Sequence, residues 1–177
     1  EQPDKAIELF DEAIELKPEC ARAYSERGRA KLMKGDKNGS VEDLKKALEE
    51  LIDNYRSGHE KATINLDFQL KDPEIFADPF HLIHLVDNLI SNALKYAGEK
   101  AEIQITCKQE KTNKLLISVK DNGPGVSTHS RKRIFRTGFH SNHRHQNSHG
   151  IGLAYVRKIV RQYNGHIQIK SKENEGS

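Results

Sequence analysis

The stretch HLVDNLISNALKYA, residues 84–97, decides how this chain is read. Leu85, Leu89 and Ala93 recur at helical spacing and predict an inward face. Asn88 and Asn92 stand four apart, so they line a neighbouring stripe of the same helix. Asparagine competes with the backbone for hydrogen bonds and is a poor helix-interior residue. Two of them in register, with Lys95 and Tyr96 one turn on, call for a reason beyond helix formation. Side-chain amide oxygens are hard ligands that suit Mg²⁺, which usually bridges protein oxygens and substrate phosphates. Lys95 adds positive charge, and Tyr96 can cover a base or ribose.

Outward from this helix the pattern is that of a half-buried sheet. Asp78 is a good N-cap and Pro79 a good first position, so the helix is expected over 79–97. ATINLDFQL (62–70) alternates apolar and polar residues as a strand does, and EIFAD (74–78) reads as a short strand. AEIQITCKQE (101–110) and KLLISVKD (114–121) are two alternating strands joined around KTN, a hairpin. IGLAYVRKIVRQY (151–163) is an amphipathic helix stopped by Asn-Gly, and HIQIKS (166–171) reads as one more strand. Helices over one mixed sheet predict an α/β two-layer sandwich.

The first fifty-odd residues are different: they are helical throughout. DKAIELFDEAIELKP puts Ala6, Phe10, Ala13 and Ile14 on one face and ends at Pro18. ARAYSERGRAKLMKGD carries Tyr24, Gly28 and Leu32 at similar spacing. In SVEDLKKALEEL, Ser40, Leu44 and Ala47 repeat Ala6, Phe10 and Ala13 at an offset of 34 residues, the tetratricopeptide period. This half resembles about one and a half tetratricopeptide repeats, fewer than a solenoid needs to stand alone. The expected organisation is a helical segment over 1–55, a linker over 56–61 and an α/β domain over 62–177. The helices carry no chemistry and are expected to pack on the second half, on further repeats or on a partner.

Composition excludes little. The net charge of +3 is the balance of many charges of both signs and implies no nucleic-acid or membrane partner. Cys20 and Cys107 have no metal-type spacing and fit a reduced, cytoplasmic setting. No apolar run spans a bilayer. The chain starts inside a helical pattern and stops just after a strand, as an excised fragment or an engineered chain does.

Two glycine motifs complete the chemistry. In DNGPGV (121–126), Gly123 and Gly125 free the backbone and Pro124 stiffens the turn, while Asp121 at the strand's mouth can accept from a ligand amine. Taken alone this is equally an ordinary turn. HGIGL (149–153) opens the next helix, where glycines let phosphate oxygens approach backbone N–H groups at the positive end of the dipole. No Gly-Lys-Ser/Thr follows, so it is not a Walker loop.

Together, NLISNALKYA, DNGPGV, Ile134-Phe135 and HGIGL resemble the N, G1, F and G2 boxes of the GHKL ATPase superfamily. Their order is most similar to that of sensor histidine kinases, over roughly residues 62–177. The resemblance implies the Bergerat fold, with ATP between the N-box helix and a mobile lid. It implies that Asn88 and Asn92 ligate Mg²⁺ and the phosphates, with Lys95 and Tyr96 at the phosphate and ribose side. Asp121 would bind the adenine amino group, with Gly123 and Gly125 as pocket floor and lid hinge. Phe135 would anchor the lid, FRTGFHSNHRHQNS (135–148), and Gly150, Ile151, Gly152 and Leu153 would close over the phosphates. His84, four before Asn88, stands where related ATPases that hydrolyse ATP use a carboxylate as general base. An imidazole can accept a proton near neutral pH.

The sequence departs from that pattern in three places. Helices stand where histidine kinases carry a dimerising hairpin with a phosphoacceptor, and His59 is isolated. Ser148 replaces the first glycine of the G2 box. The strand that normally follows EGS is absent. His140, His143, His145 and His149 in the lid have no recognised metal-ligand spacing. The expectation is an Mg·ATP-binding domain that donates its γ-phosphoryl to a histidine on another domain, with a response regulator as downstream partner. The alternatives are a trans-acting serine kinase of anti-sigma type, a nucleotide-regulated interaction protein, and an engineered chimera whose helices bind a partner.

Overall fold

A computed structural model of the chain describes residues 2–70, 77–110, 114–131, 133–136, 151–173 and 175–177. The KTN connection, most of EIFAD, Ser148, Gly150, the four lid histidines and nearly all of the lid lie outside these residues. Three helices come first: α1 (Pro3–Leu16), α2 (Ala21–Lys34) and α3 (Lys37–Gly58). They are followed by β1 (Thr63–Gln69), α4 (Pro79–Ala97), β2 (Glu102–Glu110) and β3 (Lys114–Asp121), then α5 (Thr128–Arg131) and α6 (Gly152–Gln162). The strands form one sheet in the order β1-β2-β3. Only three residues separate β2 from β3, so the pair is antiparallel, since a parallel return needs a crossover. The result is the mixed α/β fold expected.

Packing divides the chain into two compact units. One holds Glu1–Glu60, Ile64–His84 and Ile105–Ser118, and the other Lys61–Thr63, Leu85–Gln104 and Val119–Ser177.

In the first unit the helices start 34 residues apart, α1 at Pro3 and α3 at Lys37. Asp36 caps α3 by accepting from Gly39 N at 2.9 Å, and Gly35 ends α2 in the left-handed conformation at φ +90°. Ser40, Leu44 and Ala47 are buried on one helical face. Their counterparts in α1 are only half-buried, and no residue of α1 is fully buried. Leu32, Val41 and Leu44 share one shallow pocket with Leu70, Pro79, Leu82 and Leu115. The helical segment therefore packs on residues of the second half of the sequence. Asp43, 3% exposed, is held by Arg27 at 2.9 and 2.5 Å and by Lys31 at 2.9 Å. Arg27 reaches on to Asp11 at 2.6 Å, so one guanidinium ties three helices. The Asp43 carboxylate binds it most closely. Its hydrogen bond raises the Arg27 pKa above the usual guanidinium value.

In α4, Leu82, Ile83, Leu85, Val86, Ile90, Ala93 and Leu94 are buried, and Leu89 is half-buried. Ile103, Ile105 and Cys107 alternate inward along β2. Burial pushes the Cys107 thiol up to about 12, so it is a packing residue rather than a nucleophile. One expectation fails. Residues 166–171 form no strand, because they take no ladder partner among the described residues. Alternation marks a face, but a strand also needs a neighbour's hydrogen bonds.

Candidate functional site

Helix α4 starts as its sequence prescribes. Asp78 Oδ1 accepts from Phe80 N at 2.9 Å, and Asp78 O accepts from Leu82 N at 3.1 Å. That cap fixes where the helix begins and so which face the asparagines occupy. Asn92 Nδ2 donates to Asn88 O at 2.7 Å. This back-bond holds the Asn92 amide along the helix and leaves its carbonyl oxygen as the end free to accept a cation.

The deciding juxtaposition is with Gly152, the first residue of α6. A Cβ on Gly152 would stand 2.6 Å from Asn88 Oδ1 and 3.6 Å from Asn92 Nδ2. Only a glycine admits the helix start this close to the paired amides. Two sequence motifs some sixty residues apart thus meet at one point, joining the Asn88 amide oxygen and the Asn92 amide nitrogen to the N-terminus of a helix of 11 residues. Leu153 follows within α6, half-buried, and Ile151 precedes it, 56% exposed.

The second motif closes onto the end of α4. Asp121 Oδ1 accepts from Gly123 N at 2.8 Å. A Cβ on Gly123 would lie 2.7 Å from that oxygen and 3.4 Å from Ala97 N. Burial raises the Asp121 pKa, and the Gly123 N–H opposes that rise. Gly125 takes φ +71°, where a side chain would also run into Lys172 O. Lys95 Nζ sits 5.2 Å from the Tyr96 ring centroid, and Tyr96 is exposed.

His84 and Phe135 have neighbours of their own. His84 lies one turn before Asn88 and packs on Phe80, centroids 4.4 Å apart. Phe135 lines a cavity of about 500 Å³ with Arg131, Arg157, Val160, Arg161, Gly165, Ile167 and Ile169.

Sequence reasoning missed three supports. Asn122 bridges two backbone groups, accepting from Glu102 N at 2.9 Å and donating to Lys100 O at 3.2 Å. Ser171 Oγ accepts from Val126 N at 2.7 Å, and Arg131 donates to Val126 O and Ser171 O. An Asn or Ser in a turn has a local explanation already, so nothing in the sequence singled these out. Among the described residues no group of His, Cys, Asp and Glu is placed to hold a metal.

The family profile described as "Histidine kinase-, DNA gyrase B-, and HSP90-like ATPase" matches residues 77–177, more than half of the chain. The chain belongs to this ATPase family. It is similar to the sensor protein RprX of Bacteroides fragilis, 34% identical over 121 residues, covering 66% of this chain and 23% of RprX. It is also similar to the adaptive-response sensory kinase SasA of Synechocystis, 30% identical over 132 residues, covering 73% and 34% of the two chains. The chain therefore spans about a quarter to a third of the length of these curated relatives. Among solved structures, the catalytic domain of histidine kinase ThkA matches with TM-score 0.58 and 27% identity, covering 71% of this chain and 82% of that one. The residues just described thus sit in a histidine kinase-like ATPase domain. Domains of this family bind ATP, typically with Mg²⁺. No helix among the described residues is long and apolar enough to cross a membrane.

Proposed function

We propose that this domain binds Mg·ATP and presents the γ-phosphoryl to a histidine on a domain outside this chain. The observation that carries the reading is Gly152 against Asn88 and Asn92. It brings the Asn88 amide oxygen, with the Asn92 amide beside it, to the N–H groups of a helix start, the two kinds of group a metal-bound triphosphate needs. The residues fit the ion: Asn88 and Asn92 would hold Mg²⁺ through their carbonyl oxygens. Bound there, the ion supplies charge neutralisation at the phosphates.

The chain's own residues do the rest. Asp121 accepts from the adenine amino group while its other contact, to Gly123 N, keeps the carboxylate in place. Lys95 adds charge at the phosphates, Tyr96 covers the ribose side, and Gly150 to Leu153 close over the phosphates, with Gly125 and Phe135 at hinge and anchor of the lid. An acceptor imidazole nitrogen forms the new N–P bond as the bond from the γ-phosphorus to the bridging oxygen breaks, and ADP leaves. Catalysis here is positioning and charge neutralisation rather than covalent chemistry. His84 at the general-base place, engaged with a phenyl ring, supports binding with little intrinsic hydrolysis.

The test is titration calorimetry with Mg·ATP, followed by radiolabelled γ-ATP with the chain alone and with candidate acceptor domains. Binding that Asn92→Ala abolishes, with label only on an acceptor histidine, is expected. Stable label on the chain itself would refute the missing acceptor, label on a partner's serine would favour the anti-sigma type, and no binding at all would end the reading. His84→Glu is expected to raise ATP turnover.

A second reading concerns the helices, which we infer to be tetratricopeptide-like and to recruit a protein partner. The 34-residue spacing of α1 and α3 supports it. So does the exposure of Leu9 at 56%, Leu16 at 88% and Met33 at 68%, since large apolar groups gain by being covered. A response regulator in trans and a cytoplasmic setting belong to the same proposal.

A further inference from the structure

The start of α4 is held from α2, by groups that all belong to one compact unit. Asp78 gives its two carboxylate oxygens separate tasks. Oδ1 caps α4 through Phe80 N at 2.9 Å, and Oδ2 lies 3.2 Å from Arg29 Nε. The Arg29 guanidinium is also 5.9 Å from the Phe80 ring centroid, within cation–π range. The Phe80 ring in turn meets the His84 imidazole at 74°, with centroids 4.4 Å apart, the T-shaped arrangement that ring quadrupoles favour. Gly28, beside Arg29, permits the approach: a Cβ there would stand 3.3 Å from Pro79 Cγ and 3.2 Å from Ser40 O. Two weaker contacts compete, Glu26 at 3.9 Å from Arg29 and His81 at 4.0 Å from Asp78.

His84 precedes Asn88 by one turn of the same continuous helix. We propose that Arg29 is a positioning residue for the nucleotide-binding helix, acting through Asp78 and Phe80 on the His84 ring. The helical segment is then a regulatory input: whatever draws α2 off Asp78 loosens the first turns of α4 and lowers affinity for Mg·ATP. The affinity half of this rests on the nucleotide reading above, while the positioning half is measurable without nucleotide.

The experiment uses the full chain. In Arg29→Ala the Cε1–H proton resonance of His84 is expected to shift, and the Kd for Mg·ATP to rise roughly two- to five-fold, the range of a half-exposed ion pair. Arg29→Lys keeps the charge at Asp78 but not the planar stacking, and is expected to recover at least half of the lost affinity. Phe80→Leu keeps the apolar volume, removes the ring, and is expected to shift the same resonance. Asp4→Asn, which breaks the exposed Lys34–Asp4 pair on the same helices, is expected to change neither readout. An unmoved His84 resonance in Arg29→Ala overturns the proposal, as does an Asp4→Asn variant that mimics Arg29→Ala. If the wild-type chain binds no Mg·ATP, the nucleotide reading falls and the His84 resonance alone decides the positioning.

Discussion

Replacing Gly152 with alanine separates helix stability from ligand binding. The added Cβ would stand 2.6 Å from Asn88 Oδ1, about 0.8 Å inside ordinary contact at 3.4 Å. Overpacking of this kind costs roughly 1–3 kcal/mol when nothing gives. Something can give here, because Oδ1 is the end of a short side chain and can swing away by rotation about χ1 or χ2. Alanine also has the higher helix propensity, by up to about 1 kcal/mol in a helix interior, and less at a first position. Thermal stability should therefore change little. Binding should not be spared, because the group that moves aside is the proposed ligand to Mg²⁺. If the same 1–3 kcal/mol is instead drawn from the complex, affinity falls by roughly 5- to 150-fold at about 1.4 kcal/mol per decade. The assay is Mg·ATP calorimetry beside thermal denaturation of the same preparation. A Gly152→Ala chain that binds as tightly as wild type would refute the claim that Asn88 and Gly152 share the ligand's site.

Two further outcomes follow from the electrostatics. Asp121→Asn is expected to abolish nucleotide binding while leaving the melting temperature at pH 7 equal or higher. Asp121 has a raised pKa in the folded chain, so its ionised form costs stability above the folded pKa. That cost fades as pH falls through the window down to the unfolded value, and the stability difference between variant and wild type should vanish there. Asp43→Ala removes the anion between Arg27 and Lys31. Breaking a buried pair by deleting one partner costs roughly 3–5 kcal/mol, to be read from the denaturant midpoint. A loss well under 1 kcal/mol would mean that the two cations find water.

The asparagine pair stood out in the sequence because two polar residues in register on an apolar helix contradict local preference. The strand limits of β3 and the whole of α4 were legible for the opposite reason: alternation, cap and first-position proline all agree. What the sequence could not carry was the approach of Gly152 to Asn88, since a glycine at a helix start says nothing about which side chain it admits. The hold of Arg29 on Asp78 was hidden in the same way, because each residue alone has an ordinary surface role. The segment 166–171 shows the converse error. Its alternation was real, but a pattern within one segment cannot report whether another strand lies alongside. In α1 the apolar face was equally real, yet burial depends on what stands opposite.

The G1 loop carries one more lesson, in how such domains can be recombined. Asp121 and Ser177 exchange backbone hydrogen bonds at 2.9 and 3.2 Å. Gly125, at φ +71°, faces Lys172 and Gly176, and Gly176, at φ +90°, faces Asp121 and Asn122. Each glycine leaves the room that the other stretch's backbone occupies. Residues 121–126 therefore pack with 171–173 and 175–177 as a single piece, though some fifty positions separate them. A graft that moves a relative's G1 motif into this chain, or this one into a relative, should carry both stretches or neither.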